Sequence, residues 1–368
     1  MTTRNDLTIM DNENKYSIQD LDEYIRQGEP ERREKAIAWQ TAIGLQAVDG
    51  LTPSQYLLET ARKNIEGEIT TDMVRQLVDS YYQNKTTRTA ADQNTEEADK
   101  VSANINKVLS TDTFAFTFNG FVSIHRRIFD GVLIHAGKLR KYDISKKEWV
   151  LRGDSVHYLN WEDLERAIDY DLQQEKSFSY RGLSDAEKVN HICRFVAGLW
   201  QIHPFGEGNT RTTAVFTIQY LRSIGYQVTN NMFADHSWYF RNALVRANYK
   251  NVKLDIDYDY SFLEKFFGNL LLGEKHELKN RYMLIQAPAE IRQTDDNQDN
   301  TDDKPTITDD KMANILTFLK KNGPSRRKDI SDMLGLKPTQ TKYYLYKLLE
   351  QGKIVAHGAN RNRTYSLA

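Results

Sequence analysis

The stretch APAEIRQTDDNQDNTDDKPTITDD, residues 287–310, most narrows what this chain can fold into. It is polar and acidic and holds almost no large apolar side chain, so it cannot offset its own ordering entropy and reads as a linker. At 368 residues the chain exceeds the usual size of a single core, and the linker says where it divides. Residues 311–368 carry twelve Lys or Arg against Asp329, Asp332 and Glu350, a net of +9, while the whole chain is at −1, so everything before them sums to −10. The tail therefore presents a different surface from the rest.

Upstream of the linker the apolar spacing is helical. ERREKAIAWQTAIGLQAVDG, PSQYLLETARKN and TDMVRQLVDSYYQ form a small helical unit, the last with Val74, Leu77, Val78 and Tyr81 expected on one face. VDGLT and IEGEIT each place an acid before a glycine at an expected helix end, a loose internal echo. From about 104 to 275 the pattern stays helical except in YDISKKEWVLRGDSVHY, which is rich in β-formers around Gly153 and Asp154 and predicts a short hairpin. The single cysteine, Cys193, lies in the apolar run HICRFVAGLW, which predicts a buried thiol and excludes intrachain disulfides and cysteine zinc clusters.

HPFGEGNTRTTAVF, residues 203–216, carries the chemistry. Pro204, Gly206 and Gly208 predict a turn that feeds a helix near Asn209, so backbone N–H groups at that end, with Asn209 and Arg211, suit phosphates. Glu207 in the same turn suits magnesium, which takes one or two carboxylates and draws its other ligands from water and phosphate. His203 is a candidate base for an attacking hydroxyl. Taken singly each of these residues reads as a cap, a turn glycine or a surface charge. At this spacing they point to phosphate-ester transfer from a metal-bound nucleotide.

The stretch resembles the Fic family motif, H-x-F-x-[DE]-G-N-G-R-x-x-R, through His203, Phe205, Glu207, Gly208, Asn209 and Arg211, with Thr210 and Ala214 departing from it. The turn in IHAGKLRKYDIS is similar to the family's A-G-[KQ]-[IL]-R turn, and the hairpin sits where Fic proteins carry a target-docking flap. The resemblance implies a mainly α Fic-type helical bundle with a short β-hairpin flap, transferring AMP from Mg-ATP to a Ser, Thr or Tyr hydroxyl of a target protein or of the chain itself. By position, His203 would be the base and Glu207 the Mg2+ ligand. Gly206, Gly208, Asn209, Thr210 and Arg211 would hold the nucleotide phosphates, and Phe205 would pack inward. Tyr239 and Asn242 are base-pocket candidates, ordinary helix residues being the competing reading. Ile144, Lys147, Glu148 and Trp149 would form the flap. Ala214 removes the second motif arginine, which in many relatives holds the γ-phosphate and pairs with an inhibitory glutamate. The N-terminal helices are similar to antitoxin helices that silence Fic enzymes, so Asp49 or Glu66 is expected to inhibit, Asp49 being preferred. The expected order is an arm over 1–29, an antitoxin-like regulatory segment over 30–90, a Fic catalytic domain over 100–286, the linker over 287–310 and a winged helix-turn-helix over 311–368.

In the tail, helix, helix, helix and β-hairpin follow one another, and DNA is the expected partner. Thr339, Gln340 and Lys342 would reach toward bases, and Arg361 and Arg363 would contact backbone or minor groove. Protein contact is the competing use of such a unit. No apolar run approaches the roughly eighteen residues of a membrane span, and MTTRNDLTIMDNEN lacks a signal peptide's pattern. A cytoplasmic protein without membrane contact is expected, and a homodimer stays open. Two further functional readings also stay open: transfer of another phosphoryl-linked group, and a DNA-binding regulator whose Fic body senses a nucleotide.

Overall fold

A computed structural model describes residues 20–85, 90–111, 113–228, 231–285, 307–334, 338–358 and 363–368, with the side chains of 90, 91, 307–310, 338–340, 343 and 350 left aside. The first four helices are α1 (Leu21–Gln27), α2 (Pro30–Gly44), α3 (Gln55–Glu66) and α4 (Thr71–Gln83). Pro30 starts α2 where a missing N–H costs nothing. From Ala36 to Gly44 every residue of α2 is buried, because α1, α3, α5 (Ala90–Leu109) and α10 (Met232–Asp235) all pack on it. A Cβ on Gly44 would lie 2.4 Å from the Ala234 backbone, so the approach of α10 requires glycine there. α2 tightens into a short 3-10 helix, Leu45–Asp49, which Gly50 stops at φ +69. α3 stops in the same way, with Glu66 before Gly67 at φ +83. In α4 the buried stripe is Val74, Val78 and Tyr82, stepping by four, whereas Leu77 of the expected face is exposed.

α5 leads into the body, where α6 (Phe118–Ile128), α7 (Leu164–Ser177), α8 (Asp185–Ile202), α9 (Asn209–Ser223), α10, α11 (Ser237–Ala247) and α12 (Ser261–Leu272) surround the α8–α9 pair. Its core also takes in Ala38, Ala42, Leu45 and Val48 from α2 and the 3-10 helix that follows. Trp39 and Ile43 face the other way, into a second core with α3 and α4, where the Trp39 indole donates to Asn64 Oδ1 at 2.9 Å. α2 is thus shared between two cores. Cys193 is buried among apolar side chains, and burial pushes its thiol well up. The segment around Gly153 doubles back through two bonds, Glu148 N–H to Asp154 O at 2.9 Å and Lys146 N–H to Ser155 Oγ at 3.2 Å, about a 3-10 turn at Trp149–Leu151 rather than a strand ladder.

α13 (Ile307–Asn322) takes up the last four residues of the expected linker, and β1 (Ser325–Arg326), α14 (Arg327–Leu334), α15 (Pro338–Glu350), β2 (Ile354–His357) and β3 (Thr364–Leu367) follow. The strands pair antiparallel in the order β1-β3-β2, with Ser325 opposite Tyr365 and Ile354 opposite Leu367. Ile315, Leu319, Ile330, Leu345, Leu348, Ile354 and Tyr365 form a separate core. Among the described residues no helix is long and apolar enough to cross a membrane.

Candidate active site

The loop between α8 and α9 is set by groups on either side of it. α8 starts on a capping box of Ser184 and Glu187 and stays apolar to Ile202, after which His203 enters the left-handed region at φ +49. A non-glycine residue held there costs about 1 kcal/mol or more, so neighbouring groups have to fix it. Arg140 is the main clamp: its backbone N–H donates to Pro204 O at 2.9 Å, its Nε to His203 O at 2.8 Å and its Nη2 to Ile202 O at 3.3 Å. His125 on α6 holds the far side. Its Nδ1 accepts the Gly137 N–H at 2.8 Å, so Nε2 carries the proton and donates to Glu207 O at 3.1 Å. Burial pushes the His125 pKa down to about 3, and its neutral ring stacks on Phe205 with centroids 3.7 Å apart.

Asn209 closes the loop from within, its Nδ2 donating to Phe205 O at 2.7 Å and its Oδ1 accepting the Phe205 N–H at 2.9 Å. The carbonyls of Ile202, His203, Pro204, Phe205 and Glu207 are thereby all held by side-chain or backbone donors. The first bond within α9 runs from Thr212 N–H to Gly208 O, which leaves the N–H groups of Asn209, Thr210 and Arg211 open at the helix end, an anion site in waiting. Gly208 sits at φ +75, and a Cβ there would fall 2.2 Å from the Phe129 ring.

His203 itself is buried, with Nδ1 3.2 Å from Trp200 O, so Nδ1 carries the proton and Nε2 the lone pair. Among the described residues Nε2 is buried and has no hydrogen-bond partner. Burial, with the cations of Lys146 and Arg140 adding to it, holds the imidazole pKa well below its ordinary value. This is a neutral base with a free acceptor, packed beside the Tyr158 ring at 4.1 Å.

Arg211 is fully buried and faces three protein groups, its Nε in an ion pair whose angle is poor for a hydrogen bond. Its Nε lies 2.7 Å from Asp49 Oδ2, its Nη1 donates to Gln46 Oε1 at 3.0 Å and its Nη2 to Glu97 Oε1 at 3.0 Å. Burial disfavours the Asp49 charge, but Arg211, with Lys146, Arg241 and Lys311 beyond it, outweighs this and holds the carboxyl below the usual range. Glu97 is pushed the other way, by burial and then by the neighbouring Glu207. Glu207 meets Lys311 Nζ, from α13, at 3.2 Å. Among the described residues no group of three or more His, Cys, Asp or Glu is placed to hold a metal, so a cation here would rest on Glu207 with few other protein ligands.

Several expected residues sit differently. The Asn209 amide bonds both backbone groups of Phe205, and Thr210 Oγ1 accepts the Trp200 indole N–H at 2.9 Å, so both side chains are engaged in holding the loop. Glu66 stays within the N-terminal helices, paired with Arg62 at 2.9 Å and with the Tyr24 hydroxyl. Glu148, expected at the flap edge, is wholly buried, because the 3-10 turn after it directs its carboxylate to Arg241 at 2.9 Å. Ile144 is buried too, Trp149 half-buried and Lys147 exposed. Tyr239 and Asn242 are buried in α11, the hydroxyl 3.3 Å from Phe262 O and the amide Nδ2 2.9 Å from Asn280 Oδ1, and among the described residues no hydrogen bond joins either to the loop. Ala214 lies in the body core. In the tail Lys342 and Arg363 are exposed, while the Thr339 and Gln340 side chains and Arg361 lie outside the described residues.

Residue patterns alone missed Gln46, Glu97, Arg241 and Lys311, none of which belongs to a local motif. Arg140 is different. It stands in the AGKLR turn, and a lone arginine directly after a glycine-containing turn was a usable signal.

The Fic/DOC family profile matches residues 115–221, and a profile described as FaeA-like protein matches residues 311–362. The protein adenylyltransferase VbhT of Bartonella schoenbuchensis is 32% identical over 113 residues, which covers 31% of this chain and 22% of that protein. The chain thus spans about a fifth of the length of the curated relative it matches. The match contains α6, the AGKLR turn, α8 and the whole loop from His203 to Arg211, so the clamped loop and the open helix end lie within the stretch that is similar to the Fic/DOC family.

Proposed function

We propose that the chain transfers a nucleoside monophosphate, in the first instance AMP from Mg-ATP, to a hydroxyl of a protein target, under restraint by its own N-terminal helices. The observation that carries this is the buried, unpartnered Nε2 of His203 beside the open N–H groups that start α9. A regulator that only senses a nucleotide has no use for such a base. The His203 lone pair takes the proton of the incoming Ser, Thr or Tyr hydroxyl as its oxygen bonds to the α-phosphorus, the bond from α-phosphorus to the bridging oxygen breaks, and pyrophosphate leaves. The Asn209, Thr210 and Arg211 N–H groups and the Arg211 guanidinium hold phosphate oxygens during this exchange. Glu207 would hold magnesium, which supplies charge neutralisation on the phosphates when bound. That carboxylate already faces a cation, Lys311, which supports the fit.

Restraint rests on Asp49. Its carboxylate occupies the Arg211 guanidinium that the phosphates need, and it does so without the second arginine that Ala214 replaces. The doubled-back segment beside the site, with Lys147 exposed, suits alignment of an extended target chain through main-chain bonds. The basic unit over 311–368 suits DNA, with Lys342 and Arg363 exposed for phosphate contact.

Supplying α-labelled and γ-labelled ATP with magnesium tests the reading. We expect α label on protein, lost in His203→Ala. Protein that takes up γ label instead is a kinase, and tight nucleotide binding without transfer of either label favours the sensor.

A further inference from the structure

The basic unit does not hang free of the body. α13 delivers Lys311 to the catalytic loop, where its Nζ lies 3.2 Å from Glu207 Oε1 and 5.8 Å from the centre of the Tyr344 ring of α15. Lys311 is only 9% exposed, rare for a lysine unless it is paired. Two more contacts hold the unit there: His135 Nε2 lies 2.6 Å from Asp332 O on α14, and Lys321 Nζ lies 3.7 Å from Asp143 Oδ2. Between the two surfaces is a cavity of about 320 Å³, walled by Tyr142, Gly206 and Glu207 on one side and by Asp332, Met333 and Leu334 on the other.

Resting on the proposed magnesium role of Glu207, we infer that residues 311–368 are a detachable lid on the catalytic mouth, with Lys311 a tethered cation standing where the metal of a metal-nucleotide would bind. An ammonium group paired with Glu207 in a poorly solvated site repels a divalent ion brought to the same carboxylate, so the docked lid and the loaded site oppose one another. A lid closed in about four chains of five weakens apparent nucleotide affinity about fivefold.

The test uses the full chain and two readouts. Hydrogen exchange of residues 311–334 is followed for wild type, Lys311→Met and Glu207→Gln, with and without Mg2+ alone. Mg-ADP affinity is titrated for wild type, Lys311→Met and Lys311→Arg. We expect faster exchange in both charge-removing variants and on adding Mg2+ to wild type, with affinity about fivefold tighter in Lys311→Met and close to wild type in Lys311→Arg. Exchange and affinity both unchanged in Lys311→Met would overturn the lid. Faster exchange in the two variants with no nucleotide bound by any form would keep the lid and overturn the transferase reading instead.

Discussion

Asp49 and Lys311 come from opposite ends of the chain, carry opposite charges, and take opposite halves of one loop: Asp49 holds Arg211 on the proposed phosphate side and Lys311 holds Glu207 on the proposed metal side. What differs is how each is mounted. Asp49 ends a 3-10 helix whose Leu45 and Val48 are built into the body core, and α2 behind it is buried along most of its length. Lys311 belongs to a unit with its own core, joined by a linker and held to the loop by a few polar contacts. An acid mounted in the core moves only if the core around it opens. A cation on a separately cored unit leaves with that unit intact.

The largest expected effect separates these two mountings. Asp49→Ala strands part of a buried guanidinium, a loss of about 3 kcal/mol or more, which for a body of this size lowers the melting temperature by on the order of 10 °C. Lys311→Met should leave the melting of the body nearly unchanged. Equal losses from both substitutions, read by calorimetry, would remove the distinction. Deleting residues 1–85 is a poor probe of the brake for the same reason: it strips Ala38, Ala42, Leu45 and Val48 from the body core, and we expect an insoluble product rather than a freed enzyme.

Acid should act next, and on the body rather than on the basic unit. The fold lowers the His125 pKa from 6.5 to about 3, so between those values the unfolded chain binds a proton that the folded chain does not. Stability therefore falls as pH drops through that window, by about 1.4 kcal/mol for each unit well inside it. His203 is held low by burial too, so His125→Gln should reduce this slope and leave the His203 share in chemical denaturation; a slope unchanged by His125→Gln assigns the effect elsewhere. A smaller change is expected from Lys321→Ala. Its exposed pair with Asp143 is worth about 0.5 kcal/mol at most, so exchange in α13 should rise by about twofold or less, well short of the effect of Lys311→Met.

How far all this was readable in the sequence follows from the range of the contacts. The residues announce the turn of His203, Glu207 and Gly208 and the inward Phe205 through the helix end and the glycine, while the clamps that hold the turn, Arg140 and His125, come from 62 or more residues away. Between Asp49 and Glu66 the sequence offers only a preference for Asp49, since each is an acid before a left-handed glycine at a helix end. What distinguishes them is surroundings: Arg211 meets Gln46 across 165 residues and Glu97 across 114, separations no motif spans. Asn209 and Thr210 carry a second task that the sequence does not announce. The spacing marks them as part of the loop, but only the packed loop assigns the Asn209 amide to Phe205 and the Thr210 hydroxyl to Trp200. Lys311 sits past a linker whose composition gives no hint of where its far end docks.

The most direct measurement is transfer of α label from ATP to protein by wild type, Asp49→Asn, and Asp49→Asn combined with His203→Ala. The account expects more label with Asp49→Asn than with wild type, and loss of that gain when His203 is also replaced. Label that fails to rise in Asp49→Asn, or that survives the loss of His203, would contradict it.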